Sequence, residues 1–511
     1  MWVFPLAHVS LAMNIPSCFR HKRIRKEVFD MKMNLEFVPI EVRRAAKRVK
    51  AFGGRALLVG GAVVDLLSGR DPDDWDLEVF GMSYADIEEL FADKNPKAVG
   101  KKFGIVKISV NGIDIDLNVP RRDNKVGVGH SGFECQFDPR MSVKEAARRR
   151  DFTFNTLAAD LSTGEIVNEW GGLEDLQEGI LRATDPAQFE EDAVRALRAM
   201  DLLARKAKTV DPSTMLLIKS MHSRYSEIER DLVHKRWRSL LTKADKPSVG
   251  LEFLRESGWI SWFPEVEALV ECGQHPEWHP EGDVWIHSCL AADAAAQIRS
   301  EIPEHQREAF VFGVFLHDIG KPEMTITPQM VAEDKAPKEL LWTARGHDTY
   351  GVTPAESFMR RLTDSKKLIK LVKIIVQQHM QPYGLKAGGG KKGAYARLAS
   401  KMEDAGGDLR LIGRMCQCDS CATSLDWRTR SLATGEPNWE HISSQRVFDY
   451  AEEFDKDNSA VAPKLMGRDL IAAGLEQGAL FGKLLRKALD LQYGDSTLSK
   501  EELLEMVLPE E

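Results

Sequence analysis

The 511-residue chain is poor in three features that mark particular protein classes. It has no apolar run approaching the roughly 20 residues of a membrane-spanning helix, which argues against an integral membrane protein. Its seven cysteines form no disulfide-like framework, as expected in a reducing compartment, so we predict a cytoplasmic location. Its formal net charge is −8 rather than positive, so any contact with RNA must come from local basic patches.

The length and composition predict several globular domains. A single hydrophobic core rarely exceeds about 250–300 residues. The chain has 29% charged and 43% hydrophobic residues, which is an ordinary balance for a globular protein. Residues 1–33 differ, because an apolar segment precedes the basic run Arg20–Lys26, the reverse of a signal peptide. We predict a disordered extension or an overlong start, with Met31 or Met33 as the alternative beginning; a transit peptide stays open.

One stretch combines a short apolar strand, two glycines and a helix. Leu57–Val59 has the character of a buried strand, and a helical segment at 62–67 follows Gly60 and Gly61. Two glycines let the backbone approach an anion, and N–H groups of the first helical turn point towards it. The pattern predicts a phosphate-binding turn.

Two carboxylates follow at the next predicted strand. Asp74 and Asp76 are two positions apart, so both project from one face if Trp75–Val79 is a strand. Such a pair can share a divalent metal ion, and the glycine turn supplies the other half of a metal–triphosphate site. An acidic surface turn after Gly69 and Pro72 is the alternative. We interpret the combination as a nucleotidyl-transfer site.

A β-hairpin is predicted around Asn111-Gly112, a dipeptide that favours a tight turn between strands. In its second strand, apolar residues alternate with Asp114, Asp116 and Asn118, so one face is buried and the other carries carboxylates. Either aspartate can supply a third metal ligand, and a solvated strand face explains both equally well.

Three consecutive arginines, Arg148–Arg150, can bind a triphosphate through their forked donors. As an isolated charge run, they would be solvated surface.

A later segment places an acid and two arginines at helical spacing. Asp192 and Arg195 are three positions apart and Arg198 is one turn further, on a helix predicted to begin near Phe189. A carboxylate only accepts hydrogen bonds, and a guanidinium only donates them. Together they match bases with an amino donor beside a ring-nitrogen acceptor, namely cytosine and adenine. An intrahelical ion pair is the alternative.

Four segments resemble the successive motifs of the class II tRNA nucleotidyltransferase and bacterial poly(A) polymerase superfamily. They are GGAVVDLLSGRDPDDWDLEV (60–79), RRRDFTFNTLA (148–158), GGLEDLQEGILRAT (171–184) and EEDAVRALRAM (190–200). The resemblance implies a small α/β head that uses Mg²⁺, CTP and ATP and acts on the tRNA 3′ end. It implies metal binding by Asp74 and Asp76, triphosphate binding at Gly61, nucleotide contacts by Arg150, Arg195 and Arg198, and an amino-acid template made of Asp192 and Arg195.

The resemblance also favours Asp116 and reveals a departure. In the family, the third carboxylate precedes a strand-end arginine by five positions, as Asp116 precedes Arg121. Where the family motif GGxVRD has arginine, this chain has Val64. A charge expected near the incoming nucleotide is therefore missing, and we expect lower nucleotide affinity and rate.

Histidines recur in the second half of the chain: His287, the pair His317-Asp318 within FLHDIGKP, His347 and His379. A lone histidine in an apolar helix is more often a core residue, but imidazole and carboxylate are suitable ligands for a water-activating divalent ion. The segment resembles the HD-domain metal-dependent phosphohydrolases, specifically the HD domain of some bacterial CCA-adding enzymes. The resemblance implies His287, His317 and Asp318 as ligands of a transition metal or Mg²⁺, and His347 and His379 as ligands of a second metal or of phosphate.

A late aspartate is expected to complete this set, and Asp419 within MCQCDSC (415–421) is our choice. The three cysteines of that segment raise a zinc site as an alternative, but a closed zinc site needs a fourth ligand. Residues 467–492 resemble the helical C-terminal segment of the family, without its usual proline, since Gln477 precedes Gly478.

We therefore predict an α+β protein whose N-terminal head has a mixed sheet and whose remainder is mostly α-helical. The expected boundaries are 34–160 for the head, 161–255 for a neck with RNA-binding helices, 256–430 for the HD domain and 431–511 for the tail. The predicted function is template-independent addition or repair of the CCA end of tRNA, without an obligate protein partner. Poly(A) polymerase, partial CCA addition, and a phosphohydrolase whose head only binds the tRNA end stay open.

Overall fold

The computed structural model describes residues 32–97, 104–127, 129, 132–387, 392–423, 442–456, 463–476, 478–495 and 497–508. The extension expected at 1–33 lies outside the described residues except for Lys32 and Met33, and so does Gln477. Met33 is already buried in the head, packed among residues of its core.

The head is built on a mixed β-sheet. Its strands are β1 (Arg55–Val59), β2 (Trp75–Phe80), β3 (Ile105–Val110), β4 (Ile113–Asn118), β5 (Arg121–Lys125), β6 (Phe133–Phe137), β7 (Ala158–Asp160) and β8 (Ile166–Val167). Six of them form one sheet in the order β3-β4-β2-β1-β7-β8, and β5 pairs with β6. Strands β2 and β4 run parallel, whereas the other neighbours in this sheet are antiparallel. Because β8 belongs to it, the sheet continues past residue 160.

Turn chemistry and apolar burial explain these elements. Asn111 and Gly112 have φ values of 53° and 81°, as the tight hairpin turn between β3 and β4 requires. The sheet shares a hydrophobic core with helices α1 (Ile40–Ala51), α2 (Gly61–Leu67) and α3 (Tyr84–Leu90), and α4 (Val143–Arg148) precedes β7. The predicted strand, glycine turn, helix, second strand and hairpin are confirmed.

The neck follows as a helical unit. Its elements are α5 (Gly172–Glu178), β9 (Ile180–Leu181), α6 (Pro186–Glu190), α7 (Val194–Lys206), β10 (Thr209–Val210), α8 (Pro212–Ser220), α9 (Arg230–Lys243) and α10 (Pro247–Glu256). The helix expected to begin near Phe189 is wrong in its start, because α6 and α7 are separate. Asp192 lies between them, two residues before α7 begins, and its Oδ1 accepts a hydrogen bond from the Val194 amide at 3.1 Å.

The rest of the chain is also helical. Its helices are α11 (Pro264–Glu267), α12 (Val284–Ile298), α13 (Glu304–Leu316), α14 (Lys321–Met324), α15 (Pro328–Ala332), α16 (His347–Tyr350), α17 (Val352–Leu362), α18 (Lys366–Gln378), α19 (Gln381–Ala387), α20 (Lys392–Asp404), α21 (Leu409–Thr423), α22 (Ile442–Lys456), α23 (Gly467–Ala472), α24 (Ala479–Gly494) and α25 (Lys500–Val507). Among the described residues, no helix combines the length and the apolarity needed to cross a membrane.

A single large hydrophobic cluster joins the neck to the histidine-bearing helices. It includes Trp237 of α9, Phe315 of α13 and Phe358 of α17, all fully buried, and the Trp237 ring packs edge-on against Phe358 at 5.1 Å between centroids. Val64 and Phe154 belong to the same cluster, so the neck-facing side of the head packs into it. Head and neck therefore share one continuous hydrophobic cluster.

Candidate functional sites

A cavity of about 720 Å³ lies between the head and the neck. Eight of the nine residues predicted for the nucleotide site line it, and Asp116 is the exception. The eight are Gly60, Gly61, Asp74, Asp76, Arg150, Asp192, Arg195 and Arg198.

Two of the three predicted carboxylates, Asp74 and Asp76, line this cavity at the edge of the sheet. Asp76 on β2 is paired in register with Asp116 on β4, and Asp74 immediately precedes β2. Asp116 Oδ1 lies 3.1 Å from Lys107 Nζ. Burial raises the pKa of Asp76, and the charges of Asp116 and Asp74 add to this effect against the opposing charge of Arg150. Clustered carboxylate oxygens whose charges repel one another suit a hard divalent cation such as Mg²⁺.

The glycine turn is built for close approach to an anion. Gly60 has a φ of 71°, and a Cβ added there would lie 2.9 Å from Arg150 Nη1. Arg150 is held by the Glu78 carboxylate at 3.5 Å and donates to the Asn155 carbonyl at 3.2 Å. Glu78 is only 1% exposed and follows Asp76 by two positions on β2, but no sequence pattern predicted its role. It positions Arg150 beside the turn.

The three consecutive arginines do not form one basic patch. Arg148 Nε donates to Asp185 at 2.6 Å, and Arg149 donates to Glu78 at 3.1 Å. Of the three, Arg150 is the one whose guanidinium lies against the glycine turn.

The predicted base-reading residues lie on the neck side. Asp192 is buried, and Arg195 donates to the carbonyls of Gln188 at 2.8 Å and Arg149 at 2.7 Å, which fixes its guanidinium. Arg198 pairs with Asp151. Burial by itself raises the pKa of Asp151, but the adjacent Arg198 outweighs it and lowers the pKa to about 2. The roles of Asp192, Arg195 and Arg198 in nucleotide binding stay predictions.

Several basic residues of α9 line the cavity, and two residues of the same helix bind a carboxylate of α13. Lys235, Arg236, Arg238 and Lys243 line the cavity. His234 and Arg238 bind the Glu308 carboxylate of α13, at 2.7 Å and 2.9 Å. The neck thus presents part of its positive charge to the cleft.

A second cluster of polar side chains lies within the helical half. It joins residues from the start of α12, the end of α13, the start of α16, the end of α18 and the middle of α21. All six expected residues meet there: His287, His317, Asp318, His347, His379 and Asp419.

Asp318 joins two halves of this cluster. Its Oδ2 lies 3.3 Å from His317 Nε2, and its Oδ1 lies 3.0 Å from His347 Nε2. On one side, His287 Nε2 lies 3.1 Å from both His317 Nε2 and Asp419 Oδ1. On the other, His347 Nε2 lies 3.1 Å from His379 Nε2. The arrangement offers two adjacent ligand groups that share one carboxylate.

Every imidazole of the cluster is held in its orientation by a hydrogen bond at Nδ1. The Nδ1 atoms of His317, His347 and His379 donate to the carbonyls three residues earlier at 2.6–2.7 Å. Nδ1 of His287 meets Glu281 Oε1 at 2.7 Å. All four Nε2 atoms therefore face inwards, in the orientation of metal-ligating histidines whose other nitrogen is hydrogen-bonded. Residues of these types in this orientation fit a divalent metal.

The charges of the cluster also favour a cation. Burial alone lowers the pKa of His317, but Asp318 and Asp419 outweigh it and raise the pKa to about 10. Burial and the charges of His317 and His347 lower the pKa of His379 to about 3. The half of the cluster that contains Asp318 and Asp419 therefore stabilises a positive charge.

Three supporting residues were not found from the sequence. Glu281 orients His287, Lys321 Nζ lies 2.6 Å from Asp318 Oδ2, and the Tyr383 hydroxyl donates to Asp419 at 2.9 Å. Only Lys321 had a sequence signal, since it follows the His-Asp pair closely in FLHDIGKP. Within the described residues, no candidate metal group contains a cysteine, so zinc binding by the 415–421 segment gains no support.

Comparisons with known proteins match the head and the histidine-bearing helices to two domain families. Residues 56–182 match the family model of the poly A polymerase head domain, and residues 284–418 match that of the HD domain. A multifunctional CCA protein of Xanthomonas campestris is 32% identical over 335 residues, covering 64% of this chain and 75% of that protein. One from Xanthomonas euvesicatoria is 30% identical over 438 residues, covering 84% and 96%.

The chain belongs to the family of multifunctional CCA proteins. Solved CCA-adding enzymes share its fold. A Bacillus stearothermophilus enzyme in complex with CTP has a TM-score of 0.60 at 18% identity, covering 91% of this chain and 96% of that one. A Thermotoga maritima enzyme complexed with tRNA has a TM-score of 0.53 at 18% identity, covering 93% and 96%. Family membership makes the head a nucleotidyltransferase domain and the helical half an HD domain.

Proposed function

We propose that this protein adds or repairs the 3′-terminal CCA of tRNA, using CTP and ATP without a nucleic-acid template. The observation that carries the proposal is the head–neck cavity. It brings the aspartates and glycine turn of the head within one space with Asp192 and Arg195 of the neck. Reaction chemistry and base selection would then occur in a single site.

Separate groups of residues would bind the metal, the triphosphate and the base. Asp74, Asp76 and Asp116 would hold Mg²⁺, which when bound activates the tRNA 3′-hydroxyl and offsets charge on the leaving pyrophosphate. Arg150 would hold the triphosphate beside the glycine turn. Asp192 and Arg195 would accept from the base amino group and donate to the ring nitrogen, which excludes uracil and guanine because they present a carbonyl to the carboxylate.

The curated relatives favour CCA addition over poly(A) synthesis, since those identical at 30–32% are named as CCA proteins. The test is incubation with tRNA transcripts lacking A, CA or CCA, with each nucleotide offered separately and in mixtures. We expect CTP alone to restore both cytidines and ATP to add one adenosine only after them. Repeated adenosine addition would indicate a poly(A) polymerase, and addition that stops within CCA would indicate a partial activity.

We further propose that the HD domain is a metal-dependent phosphohydrolase. The paired ligand groups sharing Asp318 support this, since two adjacent divalent ions can bind a phosphate and activate water. Hydrolysis of phosphomonoesters and 2′,3′-cyclic phosphates, with Mg²⁺, Mn²⁺, Ni²⁺ or Co²⁺ added separately, tests this proposal and identifies the metal. No turnover with any of these ions would leave the domain a structural or tRNA-binding role.

The four-domain division is also a proposal, with the head extended to Val167 because β8 belongs to its sheet. A cytoplasmic location fits the tRNA substrate. It also fits the described cysteines, which form no disulfide.

A further inference from the structure

Each of the two glycines at the turn has a cation of its own. Arg150 lies against Gly60, as described above. At Gly61, an added Cβ would lie 4.0 Å from Lys206 Nζ and 4.0 Å from Asp65 Oδ2. Lys206 ends α7 of the neck, so this second cation reaches the head from another domain.

Each of the two cations is paired with a carboxylate of the head. Arg150 is held by the buried Glu78, and Lys206 is held by Asp65 of α2, with Nζ–Oδ distances of 2.9 and 3.0 Å. The Lys206 side chain is only 5% exposed, yet it lines the cavity. An ammonium group has three donors, so Lys206 can bind Asp65 and still donate to a phosphate oxygen.

Val64 cannot supply this charge. It is fully buried in the hydrophobic cluster that also contains Phe154, and it does not line the cavity. A metal-bound nucleoside triphosphate remains anionic, so its site needs cations beside the glycines. Among the described residues, Lys206 supplies the positive charge beside Gly61.

We propose that Lys206 binds the triphosphate of the incoming nucleotide, and that the neck thereby contributes to the phosphate site as well as to base reading. This inference rests on the proposed nucleotidyl transfer. Nucleotide binding would then depend on the head and neck being held together across α2 and α7.

The test compares Lys206→Met, which keeps the length and removes the charge, with Lys206→Arg, which keeps the charge. Lys208→Met is the matched control, since Lys208 lies just beyond α7, is exposed and does not line the cavity. KM and kcat are measured for CTP and ATP, together with KM for tRNA. A charge-assisted hydrogen bond to phosphate predicts about a tenfold rise in both nucleotide KM values for Lys206→Met. We expect kcat to change less than about threefold, KM for tRNA to stay constant, and Lys206→Arg to restore most of the affinity.

Removing Lys206 alone leaves Asp65 buried without its cation, so Lys206→Met is also examined together with Asp65→Asn. A raised nucleotide KM in this folded double variant supports the proposal. An unchanged nucleotide KM in either folded variant, with only a lowered melting temperature, overturns it, because Lys206 would then be a structural ion pair.

Direct binding separates this proposal from the proposed function. If the unmodified protein adds no nucleotide, CTP binding with Mg²⁺ is measured by calorimetry for the parent and for Lys206→Met. Weaker binding by the variant supports the Lys206 contact even without catalysis. Equal binding overturns it.

Discussion

The head and the HD domain present two proposed metal centres that are assembled differently. In the HD domain, the ligand atoms of His287, His317 and Asp318 lie within 4.8 Å of one another, and all three residues are buried. Among the described residues, the head carboxylates form no such group, and Asp116 is engaged by Lys107. The proposed HD ligands are fixed by the helical core, whereas Asp74 and Asp76 of the head line an open cleft. We expect the head centre to be completed by oxygens of the bound nucleotide.

The largest effect is expected at the head aspartates. Asp76→Ala should reduce nucleotide addition by about 1,000-fold or more, because it removes a metal ligand that the cleft cannot replace. Circular dichroism should show an intact fold. Asp114→Ala is the matched control, since Asp114 is exposed on the same strand β4 that bears Asp116. Comparable activity of Asp76→Ala and the control would remove the carboxylates from the proposed site.

The next effect concerns the missing family arginine. From the sequence alone, Val64→Arg should lower the KM for CTP, but Val64 is 0% exposed within the core. An unpaired guanidinium there should cost about 3 kcal/mol or more of unfolding free energy. Denaturant unfolding measures this, with Val64→Ile as the control. A stable variant with improved CTP affinity would show that the side chain can reach the cavity, contrary to the packing.

A smaller effect tests the preassembly of the HD centre. Glu281→Gln removes the carboxylate that orients His287, and should weaken metal binding roughly 10- to 100-fold. Metal titration of the phosphohydrolase activity or calorimetry measures the change. The exposed Glu277, in the same segment, provides the control Glu277→Gln. Unaltered metal affinity would mean that the helices alone hold His287 in place.

The smallest effect is expected in base selection. Asp192→Ala should reduce the preference for CTP and ATP over UTP and GTP by about tenfold, because it removes the acceptor that rejects carbonyl-bearing bases. Ratios of kcat/KM for the four nucleotides provide the measurement, with the exposed Glu190→Ala as control. Constant ratios would leave Asp192 only its structural hydrogen bond to the Val194 amide.

The two centres also differ in how far sequence could predict them. The strand–glycine–helix turn and the Asp74–Asp76 pair depend on neighbours within one short segment, so spacing alone places them. The HD ligands come from helices far apart in the chain, and the resemblance to HD domains was needed to group them. Supporting contacts could not be read from spacing, because Glu281 and Lys206 act through tertiary contacts. The break between α6 and α7 was missed because the three-residue spacing of Asp192 and Arg195 also fits a continuous helix.

The claim that the chain carries two separate active sites is tested most directly by two activities measured on three proteins. Nucleotide addition to tRNA lacking CCA, and metal-dependent hydrolysis of 2′,3′-cyclic phosphates or phosphomonoesters, are compared in the parent, Asp76→Ala and Asp318→Ala. We predict that Asp76→Ala loses addition and keeps hydrolysis, and that Asp318→Ala loses hydrolysis and keeps addition. Loss of both activities in either folded variant would contradict the account, because the two centres would then act as one.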